Sequence, residues 1–267
     1  SGLLARLKLF LGFCFPKKVY FHKSAKVDYL YFVVNTITFP WFIAPLIIGT
    51  TAVSHFSTDI FMQATFLKDV MGEVSWGGRI AFTVGLLLAF DGGIYIAHYL
   101  QHRVPALWEF HKVHHSAEVL TPITVYRMHP VDDFLTGSLT GILIGFVMGL
   151  FNTLYSQDLS FYEVAGLNAG VFVFYFFGYN LRHSHVWLAY HPLVSHIFIS
   201  PAQHQIHHSI DPKHYTRNLG FIFAFWDWLG GTLYVPKGKE EITYGISGER
   251  ASEFSTVYRL YWRPFVR

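Results

Sequence analysis

Four stretches of the chain stay apolar over about the 20 residues a helix needs to cross a bilayer. They run approximately from Tyr29 to Val53, Ile80 to Leu100, Phe134 to Tyr155 and Phe161 to Leu181. Each predicts a transmembrane helix, and Pro40 and Pro45 predict a kink in the first. After Leu181 the pattern changes: about 85 residues follow that are too polar to span again and are broken by Pro192, Pro201, Pro212, Gly230-Gly231 and Pro236. The expected fold is all-α and integral to a membrane, with about four transmembrane helices. A cytoplasmic helical cap, residues 101–133 and 182–267, would hold a histidine-rich metal site, and residues 1–267 would form a single membrane-embedded domain.

The histidines fall where these elements end. His98-x-x-x-His102 closes the second span, His111-x-x-His114-His115 follows it, and His204-x-x-His207-His208 repeats that pattern in the C-terminal region. On a helix, residues i, i+3 and i+4 share a face, so each triplet is expected to aim three imidazoles at one point and the pair to aim two. With 16 His in 267 residues, a shuffled chain would hold roughly 0.06 copies of His-x-x-His-His. Two copies point to a metal site shared by the set, although a single histidine is more often a cap or a surface residue.

Composition narrows the chemistry. Charged residues make up 14% and hydrophobic residues 52% of the chain, against about 25% charged in soluble domains. The single cysteine, Cys14, excludes an intrachain disulfide and a thiolate cluster, which leaves imidazole and oxygen as ligands. Of the 20 Lys and Arg residues, 18 lie in the N-terminal tail, the loop between spans two and three, and the C-terminal third; Lys68 and Arg79 alone fall on the other side. The positive-inside rule then puts the histidine face in the cytoplasm. The stretch through Phe15 reads as an interfacial segment or tail and not as a signal peptide.

Asp91, Tyr95, His98 and His102 form nearly one stripe on the second span, which Pro105 should end. A carboxylate at that depth needs a partner. Asp91 would accept the second N–H of a metal-bound imidazole such as His98, or else bond Tyr95 or another helix. Imidazole suits Zn, Cu, Fe and Ni alike, so spacing leaves the element open. No His-Glu-x-x-His occurs, which disfavours zinc peptidase chemistry. Histidines gathered outside the spans disfavour membrane haem.

The segments His98-Tyr-Leu-Gln-His102, His111-Lys-Val-His114-His115-Ser116, Arg127-Met-His129-Pro130, His183-Ser-His185 and Pro201-Ala-Gln-His204-Gln-Ile-His207-His208-Ser209 resemble the histidine boxes of the fatty acid hydroxylase/sterol desaturase superfamily. Phe225-Trp-Asp-Trp-Leu-Gly-Gly-Thr-Leu-Tyr234 resembles its C-terminal Trp-Asp-x-x-Phe-Gly-Thr segment, with Gly230 where Phe is usual. The resemblance implies a nonhaem diiron centre, two Fe held by histidines, with O2 as cosubstrate and a membrane lipid as substrate. It implies His98, His102, His111, His114, His115, His204, His207 and His208 as ligands, together with His183 and His185. Asn is often found at the place of His185, and His129 matches a position that varies, so His129 is expected beside a ligand or facing substrate.

The expected activity is that of an O2-dependent lipid hydroxylase, a monooxygenase acting on an acyl, sterol or related chain. A desaturase with the same centre is the alternative, because both begin with the same hydrogen abstraction. A non-catalytic metal-binding or metal-transport membrane protein is a third reading, which ligands along the spans would favour. No haem or flavin segment is visible, so a separate electron-donor protein is expected, and no nucleic-acid partner.

Overall fold

The computed structural model describes residues 2–155, 159–164, 167–176, 178–248 and 251–266. Among them the fold is helical apart from one antiparallel pair of two-residue strands, β1 (Glu163–Val164) and β2 (Leu167–Asn168). Three N-terminal helices come first: α1 (Leu3–Cys14), α2 (Lys17–Tyr20) and α3 (Lys23–Phe42). Then follow α4 (Thr50–Phe61), α5 (Trp76–Arg103), α6 (Pro105–His115) and α7 (Pro130–Leu154). The C-terminal part holds α8 (Ala169–Phe176), α9 (Pro192–Ser195), α10 (Pro201–His207), α11 (Phe225–Gly230) and α12 (Val257–Trp262).

Among the described residues two helices are long and apolar enough to cross a membrane, α5 with 28 residues and α7 with 25. A third crossing exists if α3 and the segment Ala44–Phe61, bent by 40° at a short break, count as one span. The kink expected in the first span is thus a break. Pro40 sits inside α3, and Pro45 lies in a 3-10 turn over Ala44–Leu46, where its missing N–H interrupts the α-helical ladder.

The fourth expected span, Phe161 to Leu181, lies partly outside the described residues, and its described part is not one long helix. It contains the β1–β2 pair and then α8, whose 8 residues extend only about 12 Å. Asn168 accounts for the start of α8: its Oδ1 accepts from the Gly170 N–H at 2.9 Å, and its amide donates to the Thr83 carbonyl. Gly178, at φ 135°, turns the chain after it. The described residues thus hold two or three candidate crossings, and the fourth expected span is not among them.

The two long helices pack closely. A methyl at Gly93 would lie 2.7 Å from the Thr140 Cα, so the backbone of α5 meets α7 where no side chain fits. At one end of the bundle the Asp69 N–H donates to the Thr153 carbonyl at 2.9 Å. At the other, the start of α3 and the approach to α7 are joined by a buried ion pair, Arg127 Nη1 to Asp28 Oδ1 at 2.6 Å. Arg127 also donates to the Val113 carbonyl and the Ser116 hydroxyl, which anchors the end of α6. A core of Tyr31, Val113, Phe254 and Leu260 then seats the C-terminal helices on α3 and α6. The C-terminal end of α5, all of α6 and the N-terminal end of α7 thereby share one end of the bundle.

Candidate metal centre

Helix geometry puts the imidazoles in place. His98 and His102 lie one turn apart on the last turns of α5, Pro105 opens α6 at its first position, and α6 ends on His114 and His115. Helix α10 opens with a capping box, in which the Ser200 side chain and Gln203 satisfy each other's backbone N–H, and it carries His204 and His207; His208 is its C-cap. His183 follows the short turn Tyr179–Leu181.

Nine histidines converge in two adjoining groups. One comprises His98, His102, His111, His115 and His207, and the other His114, His183, His204 and His208; within each, the candidate ligand nitrogens lie within 4.8 Å of one another. Neither His-x-x-His-His triplet aims at one point, as its spacing suggested. Successive helical residues turn by about 100°, so i and i+4 point almost together while i+3 points about 60° the other way. His111 and His115 join one group and His114 the other; His204 and His208 join one group and His207 the other. Each triplet therefore serves both groups.

The donor set fits metal ions. In the four-histidine group, His183 Nε2 lies 3.2 Å from His114 Nε2, 3.1 Å from His208 Nε2 and 3.0 Å from His204 Nε2. Four imidazoles holding one ion at about 2.0–2.1 Å set their nitrogens about 3.4 Å apart. In the five-histidine group, the Nε2 atoms of His102, His111, His115 and His207 are buried without a hydrogen-bond partner. The opposite ring nitrogens of two members are engaged, His98 Nδ1 by the Leu219 carbonyl at 2.7 Å and His207 Nδ1 by the Arg217 carbonyl at 2.9 Å. An Nδ1–H donated to a carbonyl leaves the Nε2 lone pair free for a cation.

The surroundings keep these rings neutral, as ligands must be. Burial lowers the pKa of His111 to about 3. Burial first, and neighbouring cationic or imidazole groups second, hold His114, His115, His183, His204, His207 and His208 well below the usual histidine value.

His185 is not brought to either group. Its Nε2 meets the Phe13 carbonyl at 2.7 Å, and its ring packs edge-on against Phe13 and Tyr20. His129 caps α7: its Nδ1 accepts from the Val131 N–H at 3.1 Å, while its Nε2 lies 3.2 Å from the Tyr261 carbonyl. Asp91 does not touch His98. It accepts from the Ile222 and Phe223 N–H groups at 2.6 and 3.0 Å and from Trp226 Nε1 at 2.9 Å, so it holds the loop whose Leu219 carbonyl meets His98.

Three polar groups around the centre were not singled out from sequence. Asp132 Oδ2 lies 3.5 Å from His111 Nδ1, with Oδ1 held by the Gln101 amide at 3.2 Å. Asp227 accepts from the Leu219 and Gly220 N–H groups, both at 2.7 Å. Arg182 donates to the Phe221 and Gly220 carbonyls and faces His204 Nδ1 at 2.9 Å. Position offered a signal for each: Asp132 opens the span after His129-Pro130, Asp227 sits in the Trp-Asp segment and Arg182 precedes His183. Gly230, where Phe was expected, leaves room for the Tyr95 hydroxyl, which a Cβ there would strike.

Two cavities reach the histidines from different sides. An inner one of about 220 Å³ is lined by His98, His111, His114, His183 and His204 with Val125, Met128 and Phe221. An outer one of about 390 Å³ is lined by His102, His115 and His207 with Trp108, Lys112 and Tyr215.

Apolar helices and a double cluster of histidines at one end of them define a membrane-type protein with a polyhistidine site that could hold metal. Residues 83–232, just over half of the chain, match the fatty acid hydroxylase family, and the chain belongs to that family. It is similar to the ornithine lipid hydroxylase of Rhizobium tropici, 30% identical over 185 residues, which covers 67% of this chain and 49% of that protein. It is likewise similar to a Delta(7)-sterol 5(6)-desaturase of Gibberella zeae, 30% identical over 62% of this chain and 41% of the relative, and to the lathosterol oxidase of Homo sapiens, 26% identical over 67% and 55%. The chain thus spans about half the length of the curated relatives it matches. No solved structure matches it.

Proposed function

We propose that this protein is an O2-dependent lipid hydroxylase whose two histidine groups hold two iron ions. The observation that carries the reading is the pair of adjoining groups, nine imidazoles of which five line one inner cavity. Sets of five and four imidazole donors, with carboxylate only in the surroundings, suit iron but do not select it; family membership favours iron and oxygen chemistry. When bound, the two irons would supply reductive activation of O2 for attack on an unactivated C–H bond.

The chain's own residues have definable parts in this. His98, His102, His111, His115 and His207 would hold one ion, and His114, His183, His204 and His208 the other. Asp132 would orient His111, and the Leu219 and Arg217 carbonyls orient His98 and His207 by fixing which ring nitrogen carries the proton. The apolar side chains Val125, Met128 and Phe221 would keep water from the inner cavity.

The substrate would be a membrane lipid reached from the bilayer and the electron source a separate protein. We further propose a multi-pass arrangement within one membrane-embedded unit, with the histidines on the cytoplasmic face. Support for that face is the scarcity of basic residues at the opposite end, where Lys68 and Arg79 stand alone. A desaturase is the second reading, favoured by the likeness to a sterol desaturase.

The test is turnover of extracted membrane lipids under 18O2 with a chemical or protein reductant, followed by mass spectrometry. Hydroxylation adds one labelled oxygen to the lipid, whereas desaturation removes two hydrogens and adds none. A lipid unchanged in both respects, with the metal centre loaded, would overturn both readings.

A further inference from the structure

The broken first span leaves a groove on the membrane side of the bundle. Its floor is α7, and its walls include Ile47, Ile48, Phe90, Thr140, Gly141 and Ile144; it encloses about 350 Å³ and no ionisable side chain lines it. A second apolar groove of about 390 Å³, beside Trp226 on α5 and α7, shares no lining residue with the inner histidine cavity. The first groove shares two, Ile94 and Thr136. These two side chains, one on α5 and one on α7, form the neck between the groove and the histidines.

Polarity changes across that neck. Beyond it, the inner cavity is lined by Asp133 and Arg182 as well as by histidines. Arg182 is 2% exposed, and its Nε–H is buried with no hydrogen-bond acceptor. A buried donor of this kind is costly unless a ligand or water meets it. From Asp133 to Ile144 the helix descends about 16 Å at 1.5 Å per residue, so the groove lies deep in the apolar layer while the cavity lies near its edge.

We propose that the groove seats the tail of an acyl lipid, that the tail passes between Ile94 and Thr136, and that the lipid's carbonyl end rests in the histidine cavity. The Arg182 Nε–H would donate to the carbonyl oxygen. An amphiphile fits this site one way round, because the uncharged groove takes the chain and the charged cavity takes the polar end. The carbon presented to the histidines is then close to the carbonyl and far from the terminal methyl. That regiochemical consequence rests on the hydroxylase reading; the seat for the tail does not.

The experiment is photolabelling of the full chain, metal-loaded, in phosphatidylcholine vesicles that carry acyl lipids with a diazirine either at the chain end or beside the carbonyl. The expected result is chain-end labelling at residues 47–50 and 140–144, and carbonyl-side labelling at Val125, Met128 or Phe221. Thr136→Phe should cut labelling inside the cavity at least tenfold, while Phe146, which is 50% exposed on the same helix, labels as before. Should Thr136→Phe lose metal or the Phe146 label, Ile94→Trp blocks the same neck from the other helix and is held to the same result. Labels in reverse order, cavity labelling indifferent to either blocked neck, or competition by a sterol but not by an acyl lipid would overturn the proposal. Lipid hydroxylated near its terminal methyl would do the same. Cavity labelling in a protein that turns over no lipid would remove the hydroxylase reading and leave the seat standing.

Discussion

His98 gives its Nδ1 to the carbonyl oxygen of Leu219 at 2.7 Å, and this contact ties the last turns of a membrane-type helix to a loop 121 residues later in the chain. The loop cannot drift, because Asp227 holds the Leu219 and Gly220 N–H groups from one side and Asp91 holds the Ile222 and Phe223 N–H groups from the other. Two buried carboxylates that touch no histidine thus aim the His98 ring.

Asp227→Asn keeps the shape but turns an amide N–H₂ toward backbone donors. Leaving one of them without an acceptor costs about 1–3 kcal/mol, and a displaced ligand partner lowers metal affinity by about 10–100-fold. Chelator competition on the purified variant checks this: the five-histidine group should release its ion first, and unchanged release would show the loop to be unimportant to the metal.

Because each His-x-x-His-His unit serves both groups, adjacent substitutions should act on different ions. His115→Ala is expected to weaken the five-histidine group and His114→Ala the four-histidine group. Metal content should fall toward about one ion per chain in either variant, with activity reduced more than about tenfold. Spectroscopy of the retained ion should differ between the two, and identical residual spectra would contradict the split assignment.

His185 and His129 serve as controls. His185→Ala should retain the full metal content, since the ring contacts Phe13 and Tyr20 instead of the other histidines. His129→Ala should lower stability by about 1 kcal/mol through loss of the α7 cap, again without loss of metal. Metal analysis beside a denaturation curve separates the two effects.

Acid should destabilise the metal-free protein through the same rings that bind the ions. The folded pKa of His111 is depressed to about 3 from 6.5, so the folded state carries fewer protons than the unfolded chain between these values. Stability from this group is full above pH 6.5, is lost as the pH falls toward about 3, and changes no further below that. The other depressed histidines outside the spans act in the same direction. Thermal unfolding followed from pH 8 to pH 4 should show a steady loss, and a flat profile would mean that the rings take up protons as readily in the fold as in the unfolded chain.

Much of the histidine cluster was legible from spacing. Eight of its nine members stood at helical intervals, a signal that is local, and His183 followed from likeness to family boxes. What spacing could not give was the partition into two groups, since the 100° step that separates His114 from His115 matters only once a second helix fixes where each ring points. Asp132, Asp227 and Arg182 were missed for a related reason: hydrogen bonds around a clustered imidazole depend on which loop returns to it, as Leu219 returns to His98. The spans were read from hydropathy, which identified α5 and α7. Pro40 and Pro45 announced the bend of the first span, whereas hydropathy did not register that Asn168 accepts from the Gly170 N–H at the start of α8.

The central claim is that the two histidine groups are a pair of iron sites, and metal content tests it most directly. Protein produced with ample iron and purified in detergent or lipid should contain about two irons per chain, with reductant-dependent O2 uptake that rises when lipid is added. Tightly held zinc in place of iron, with no O2 uptake on reduction, would contradict it.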